Sequence, residues 1–145
     1  MGWWDDGVMG GDTPLDFMSD VARVIGAKYD GGNPEVITKA RLERGAAKLL
    51  RLAQGLTDDD RAIMAQVIGW LFLTRGARLT PKLKQEVLRG IGEDAWAREG
   101  DLGRVNKMIA FSSAVARYRP ERGPMKLTSK GLFQVMNERL AQVQR

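Results

Sequence analysis

The chain has 145 residues, a net charge of +5, and neither cysteine nor histidine. It is long enough to bury one core without disulfide or metal staples, and the missing residue types exclude a disulfide framework, thiolate or imidazole zinc sites, the Ser-His-Asp triad and the Cys-His pair. Catalysis would have to rest on carboxylates, lysine, tyrosine or a bound hard cation.

The opening, MGWWDDGVMGGDTPLDF, combines tryptophan, glycine and aspartate. It has no basic stretch followed by an apolar one, so no signal peptide is expected. Met1-Gly2 suggests myristoylation, but Asp6 stands where that motif needs serine or threonine. Residues 1–12 are expected to form an arm packed on a helical domain spanning 13–145.

Helix signals then recur and strand signals do not. Thr13 is the expected N-cap of a first helix, with Pro14 at its first position and Asp16 in its first turn. Leu15, Met18, Ala22 and Ile25 share one face at helical spacing, and Gly26 ends the helix. Asn33-Pro34 starts a second helix, expected to run to about Gln54, where Gly55 stops it. Thr57 and three aspartates start a third. Ile63, Met64, Val67, Ile68, Trp70, Leu71 and Phe72 make it apolar on most sides, the mark of a central, buried helix. Its run AIMAQVIGWLFL is too short for a membrane span, so no membrane partner is expected.

Thr80-Pro81 starts a fourth helix through Leu83, Val87 and Ile91, with Gly90 and Gly92 weakening its end. Asp101 caps a fifth through Val105, Met108, Ile109 and Ala116. A basic loop, RYRPERGPMK, follows, and Thr128 caps a last helix with Leu132, Val135, Met136, Leu140 and Val143. The repeated cap-proline starts at 13–14, 33–34 and 80–81 predict an all-α, single-domain bundle of about six helices.

Read in register, the opening resembles a family of bacterial and phage proteins of unknown function that begin Met-Gly-x-Trp-Gly-x-Gly-x-Phe-x-x-Asp-x-Ala-x-Asp-Trp/Phe. Met1, Gly2, Trp4, Gly7, Asp12, Asp16 and Phe17 match without a gap; Asp5, Met9 and Pro14 depart from the pattern. The likeness covers only the first twenty or so residues. It implies a small helical domain and a phage or mobile-element setting, and no activity.

The residues give that motif a structural reading. Trp3, Trp4 and Phe17 can pin the arm through apolar burial, and the glycines allow sharp turns. Asp12 and Asp16 can accept hydrogen bonds from helix N–H groups or from the turned arm. The alternative is a cation or ligand site on Asp5, Asp6, Asp12 and Asp16, but their spacing is not that of a calcium loop. No metal and no cofactor is expected.

Charge is uneven along the chain. Residues 1–34 carry six acids and two bases, net −4; residues 35–100 carry net +3; residues 101–145 carry nine bases and three acids, net +6. The expected partner surface is the basic loop, with Arg117, Arg119, Arg122, Lys126 and Lys130 meeting phosphates or carboxylates and Tyr118 stacking on a base. A solvated loop before a helix cap is the plainer reading. The LTSKG that follows resembles, over five residues, the junction after the wing of winged-helix DNA-binding proteins, but no helix-turn-helix precedes it. Glu93, Asp94 and Glu99 around Trp96 could suggest a sugar site; a solvated acidic turn explains them more simply. Trp70 and Trp96 are expected in or at the edge of the core. The functional expectation is a non-enzymatic protein of the cytoplasm that binds a macromolecule. Another protein is the favoured partner, nucleic acid the alternative, and a carboxylate or metal enzyme at the acidic N-terminus the third reading.

Overall fold

The computed structural model describes residues 7–29 and 33–127. Trp3, Trp4, Asp5, Asp6, Lys130 and the helix expected after Thr128 lie outside the described residues. Among the described residues the architecture is all-α. The helices are α1 (Asp12–Val24), α2 (Lys39–Arg44), α3 (Ala46–Gln54), α4 (Asp58–Arg75), α5 (Pro81–Gly92), α6 (Ala95–Arg98) and α7 (Leu102–Arg117). Short 3₁₀ turns occupy Pro34–Val36 and Pro120–Arg122.

α4 is the central helix, as its sequence predicts. Met64, Val67, Ile68, Leu71, Phe72 and Leu73 are fully buried, while Ile63 and Trp70 sit half-buried at the margin. α1, α3 and α5 pack directly on α4, and α7 packs on α5. α5 comes closest because two glycines allow it. A Cβ on Gly69 would stand 2.5 Å from Val87 Cγ1, and one on Gly90 would stand 2.7 Å from the Ala65 Cβ. Gly90 is therefore a packing residue rather than a weak helix end.

Several boundaries differ from the sequence reading. α1 begins two residues early, with Gly11 in the cap position, and Thr13 is buried inside the first turn. Its core face is Pro14, Met18, Val21 and Ala22; Leu15 is exposed. The expected single helix from Asn33 to Gln54 is three pieces. Asn33 caps only the 3₁₀ turn, accepting from the Glu35 N–H. Thr38 caps α2, and the chain bends at Gly45. A Cβ there would meet Ile25 Cγ2 at 2.6 Å, so the close approach of α1 selects glycine.

Local cap chemistry succeeds elsewhere. Thr80 accepts from Leu83 N–H and Asp101 from Arg104 N–H, at the two predicted starts. Thr57 stands at the start of α4 without a side-chain cap bond. α6 was not expected; its cap is Asp94, which accepts from the Ala97 N–H at 2.9 Å. On α7 the buried face is Arg104, Met108, Phe111, Ala114 and Val115. Ile109 and Ala116, on the same helix, are exposed.

The described part of the arm does pack. Val8 and Met9 are buried, and Gly10 N–H bonds to Gly7 O across a turn. Phe17 packs half-buried against the core, whereas Asp12 and Asp16 are exposed on α1.

Candidate functional site

The basic loop is built on the C-terminal end of α4. That end leaves backbone carbonyls without helical N–H partners, which other parts of the chain can use. Gly76 closes α4 in the left-handed region at φ +71, where glycine carries no Cβ penalty. α7 stops at Arg117, and Tyr118 turns inward. The Tyr118 hydroxyl donates to the Ala77 carbonyl at 2.7 Å, with the Phe72 carbonyl also near at 3.4 Å. Seven residues on, the Met125 N–H donates to the Leu73 carbonyl at 2.9 Å. The loop is thus tied to α4 at both ends, and the Pro120–Arg122 turn bulges between the ties.

Tyr118 is consequently a core residue, 9% exposed, and its ring is not presented for stacking on a base. Burial, then the nearby Glu43 and Glu121 charges, push its hydroxyl pKa up to about 12, so it stays protonated as a donor. Arg117, Arg119, Arg122 and Lys126 are all exposed. The three arginines line a hollow of about 280 Å³ with Gly123, Pro124 and Met125. Among the described residues none of these four bases is held in an ion pair. Glu121, on the turn itself, is the nearby acid and is exposed.

A second basic hollow, not anticipated from the sequence, lies at the bend between α2 and α3. Arg23, Arg41, Arg44 and Lys48 line about 260 Å³ there. Arg41 is committed to the Gly26 carbonyl at 2.7 Å, and Arg23 to Asp20. Arg44 and Lys48 are exposed. The i, i+4 spacing was readable, but the bend that brings α1 beside it was not.

At the opposite end of α4 stands a buried polar cluster that sequence reasoning also missed. Arg104 is 1% exposed and Asp94 3%. The guanidinium donates from Nε to Asp94 Oδ1 at 3.0 Å and from Nη2 to Asp94 Oδ2 at 2.5 Å, a two-pronged pair. Arg104 also donates to Gln66 Oε1 and to the Gly7 carbonyl, both at 3.0 Å, and lies over the Trp96 ring at 4.9 Å. Gln66 completes the set by donating to Asp94 Oδ2 and the Gly90 carbonyl. Burial alone would raise the Asp94 pKa. The hydrogen bonds from Arg104, Gln66 and Ala97 N–H, with the Arg104 charge, outweigh it and hold the carboxyl below its usual range.

The signal for this cluster was present. Arg104 falls on the same i, i+4, i+7, i+11 stripe as Met108, Phe111 and Val115, and Gln66 interrupts the apolar run of α4. Beside the cluster, Asp59, Asp60, Trp96 and Glu99 help line a hollow of about 370 Å³. Among the described residues, no group of three or more acidic side chains is placed to hold a metal ion. Asp94 belongs to the Arg104 clasp rather than to a solvated turn, and Trp96 is half-buried beside it. No described helix is long and apolar enough to cross a membrane.

Comparison with protein-family models, with curated proteins and with solved structures finds no match to this chain.

Proposed function

We propose that this protein is a non-enzymatic binding module that holds an anionic macromolecular partner on its basic loop, residues 117–126. The observation that carries the reading is the state of the loop. Arg117, Arg119 and Arg122 are exposed and without ion-pair partners among the described residues, on a segment tied to α4 at both ends. A tied backbone loses less entropy when a partner docks. Guanidinium forks suit carboxylates and phosphates alike, so an acidic protein and a nucleic acid both meet the chemistry. The resemblance of the opening residues to bacterial and phage proteins supports an accessory or regulatory role in such a setting, and a cysteine-free chain suits a reducing cytoplasm.

The test is a pull-down from the source cell, run with and without nuclease, using the parent and an Arg117→Ala, Arg119→Ala, Arg122→Ala variant. The variant should keep its fold, because exposed charges contribute little stability, and should lose the partner that the parent retains. Equal retention by both proteins would move the binding surface away from the loop.

A further inference from the structure

We infer that the basic loop is one part of a longer basic strip, and that the strip binds the phosphate backbone of duplex nucleic acid without reading its sequence. The inference rests on the binding-module reading above and names its partner. The strip joins the two basic hollows through the α4–α5 connection. Tyr118 is bonded to the Ala77 carbonyl; the next residue, Arg78, is exposed, and its N–H donates to Glu43 Oε2 at 2.8 Å. Glu43 in turn precedes Arg44 on α2. Loop, connection and α2–α3 bend are therefore consecutive neighbours. Six exposed bases follow that line: Arg117, Arg119, Arg122, Arg78, Arg44 and Lys48. The acids along it are Glu43, already bonded to the Arg78 N–H, Glu121, and Asp20, paired with Arg23 at the rim of the second hollow.

Two features favour duplex nucleic acid over an acidic protein. The bases come from three separate stretches of chain, so the charge is extended like a polyanion rather than focused on one carboxylate. Protein interfaces take most of their energy from buried aromatic and apolar anchors. The strip offers no large exposed one: the exposed large hydrophobics among the described residues are Leu15, Leu102 and Ile109, all outside both hollows, whose apolar lining is the partly buried Val24, Ile25 and Met125 with Pro124. Phosphate contacts need no such anchor. Single-strand binding, by contrast, relies on exposed aromatic rings for stacking. The one ring in either hollow is Tyr118, which is buried and hydrogen-bonded.

The test is fluorescence anisotropy of the full chain with a labelled mixed-sequence duplex about three helical turns long. Six phosphate contacts predict a log–log salt slope of about −5 and roughly a thousand-fold loss of affinity between about 50 and 200 mM salt. A second duplex of unrelated sequence should bind equally. Two variants divide the strip: Arg117→Ala, Arg119→Ala, Arg122→Ala in the loop, and Arg44→Ala, Lys48→Ala, Arg78→Ala beyond it. Each should flatten the slope by about 2.7, the share of three contacts. Circular dichroism checks that both stay folded. Failure of the parent to bind either duplex at low salt overturns the inference, as does a parental slope in the second variant. A protein partner lost from the loop variant, without duplex binding, overturns the inference and leaves the binding-module reading standing. Duplex binding that ignores the loop variant overturns both.

Discussion

At the scale of single residues, the Arg104–Asp94 pair shows how a charge can be legible yet misassigned. Asp94 stands among Glu93 and Glu99, and sequence alone groups the three as a solvated turn. The structure separates them: Asp94 is buried and bonded, while Glu93 and Glu99 are exposed. The cause is long-range, since the partners come from α4, α7 and the arm. Removing one member leaves the other charge buried and uncompensated, so Asp94→Ala should cost about 3–5 kcal/mol in urea unfolding. The double variant Asp94→Leu with Arg104→Leu should cost less than the two single changes combined, because their effects are coupled. Additive losses would mean the pair is not a unit. The pH dependence has a definite sign. The folded Asp94 carboxyl titrates below its ordinary value of 3.8. It therefore contributes stability that is complete above the unfolded pKa and is lost as pH falls through the lower, folded pKa. The melting midpoint of the parent should drop on acidification below about pH 4, and that of Asp94→Asn should start lower and drop less.

At the scale of elements, caps were legible and bends were not. Thr80, Asp101 and Asn33 act through bonds two or three residues away, so a short window of sequence contains the whole cause. At Gly45 the close approach of Ile25, twenty residues earlier in the chain, leaves no room for a Cβ, and no local pattern encodes that contact. α6 is four residues long, below the length at which periodicity speaks. Leu15 on α1 and Ile109 on α7 flank the buried stripes and lie outside, because several apolar residues border each stripe and only the neighbours decide which side is in. The two glycines of α5 test this account directly. Gly90 faces Ala65 and the Ala62 carbonyl at 2.7 and 2.9 Å, whereas nothing lies within 4 Å of a Cβ on Gly92. Gly90→Ala should force α4 and α5 apart and cost about 1–3 kcal/mol. Gly92→Ala should be neutral or stabilising by up to about 1 kcal/mol, through the reduced freedom of the unfolded chain. Thermal melts of the two variants should move in opposite directions or differ by several degrees. Equal shifts would deny that close packing selects Gly90.

At the scale of the whole molecule, the polarity of charge was legible but its geography was not. The sequence runs from an acidic head to a basic tail, yet much of the acidic end comes from the middle of the chain. α4 sets the axis. Its first turn carries Asp58, Asp59 and Asp60, with Asp94, Glu99 and Asp101 around α6 at the same end as the Arg104 clasp. Its last turn carries Arg75, and Arg78 and the basic loop are tied to that end. This arrangement also matches the α4 dipole, with acids at the N-terminus and bases at the C-terminus. Eighteen residues at 1.5 Å each separate the two ends by about 27 Å. That distance decides what the acidic end can do to binding. At physiological salt the Debye length is about 8 Å, so at the basic loop, about 27 Å away, these charges are screened. At about 0.01 M salt it is about 30 Å, and the acidic end is felt. Asp58→Asn, Asp59→Asn, Asp60→Asn should therefore leave the association rate of an anionic partner unchanged at physiological salt. At about 0.01 M the same variant should associate faster, since a repulsive field has been removed. The salt slope of its equilibrium affinity should match the parent's near physiological salt, because no phosphate contact has been added. Stopped-flow association at the two salt concentrations measures this. An equal acceleration at both would place the partner within reach of the acidic end, and the basic loop would no longer be its seat.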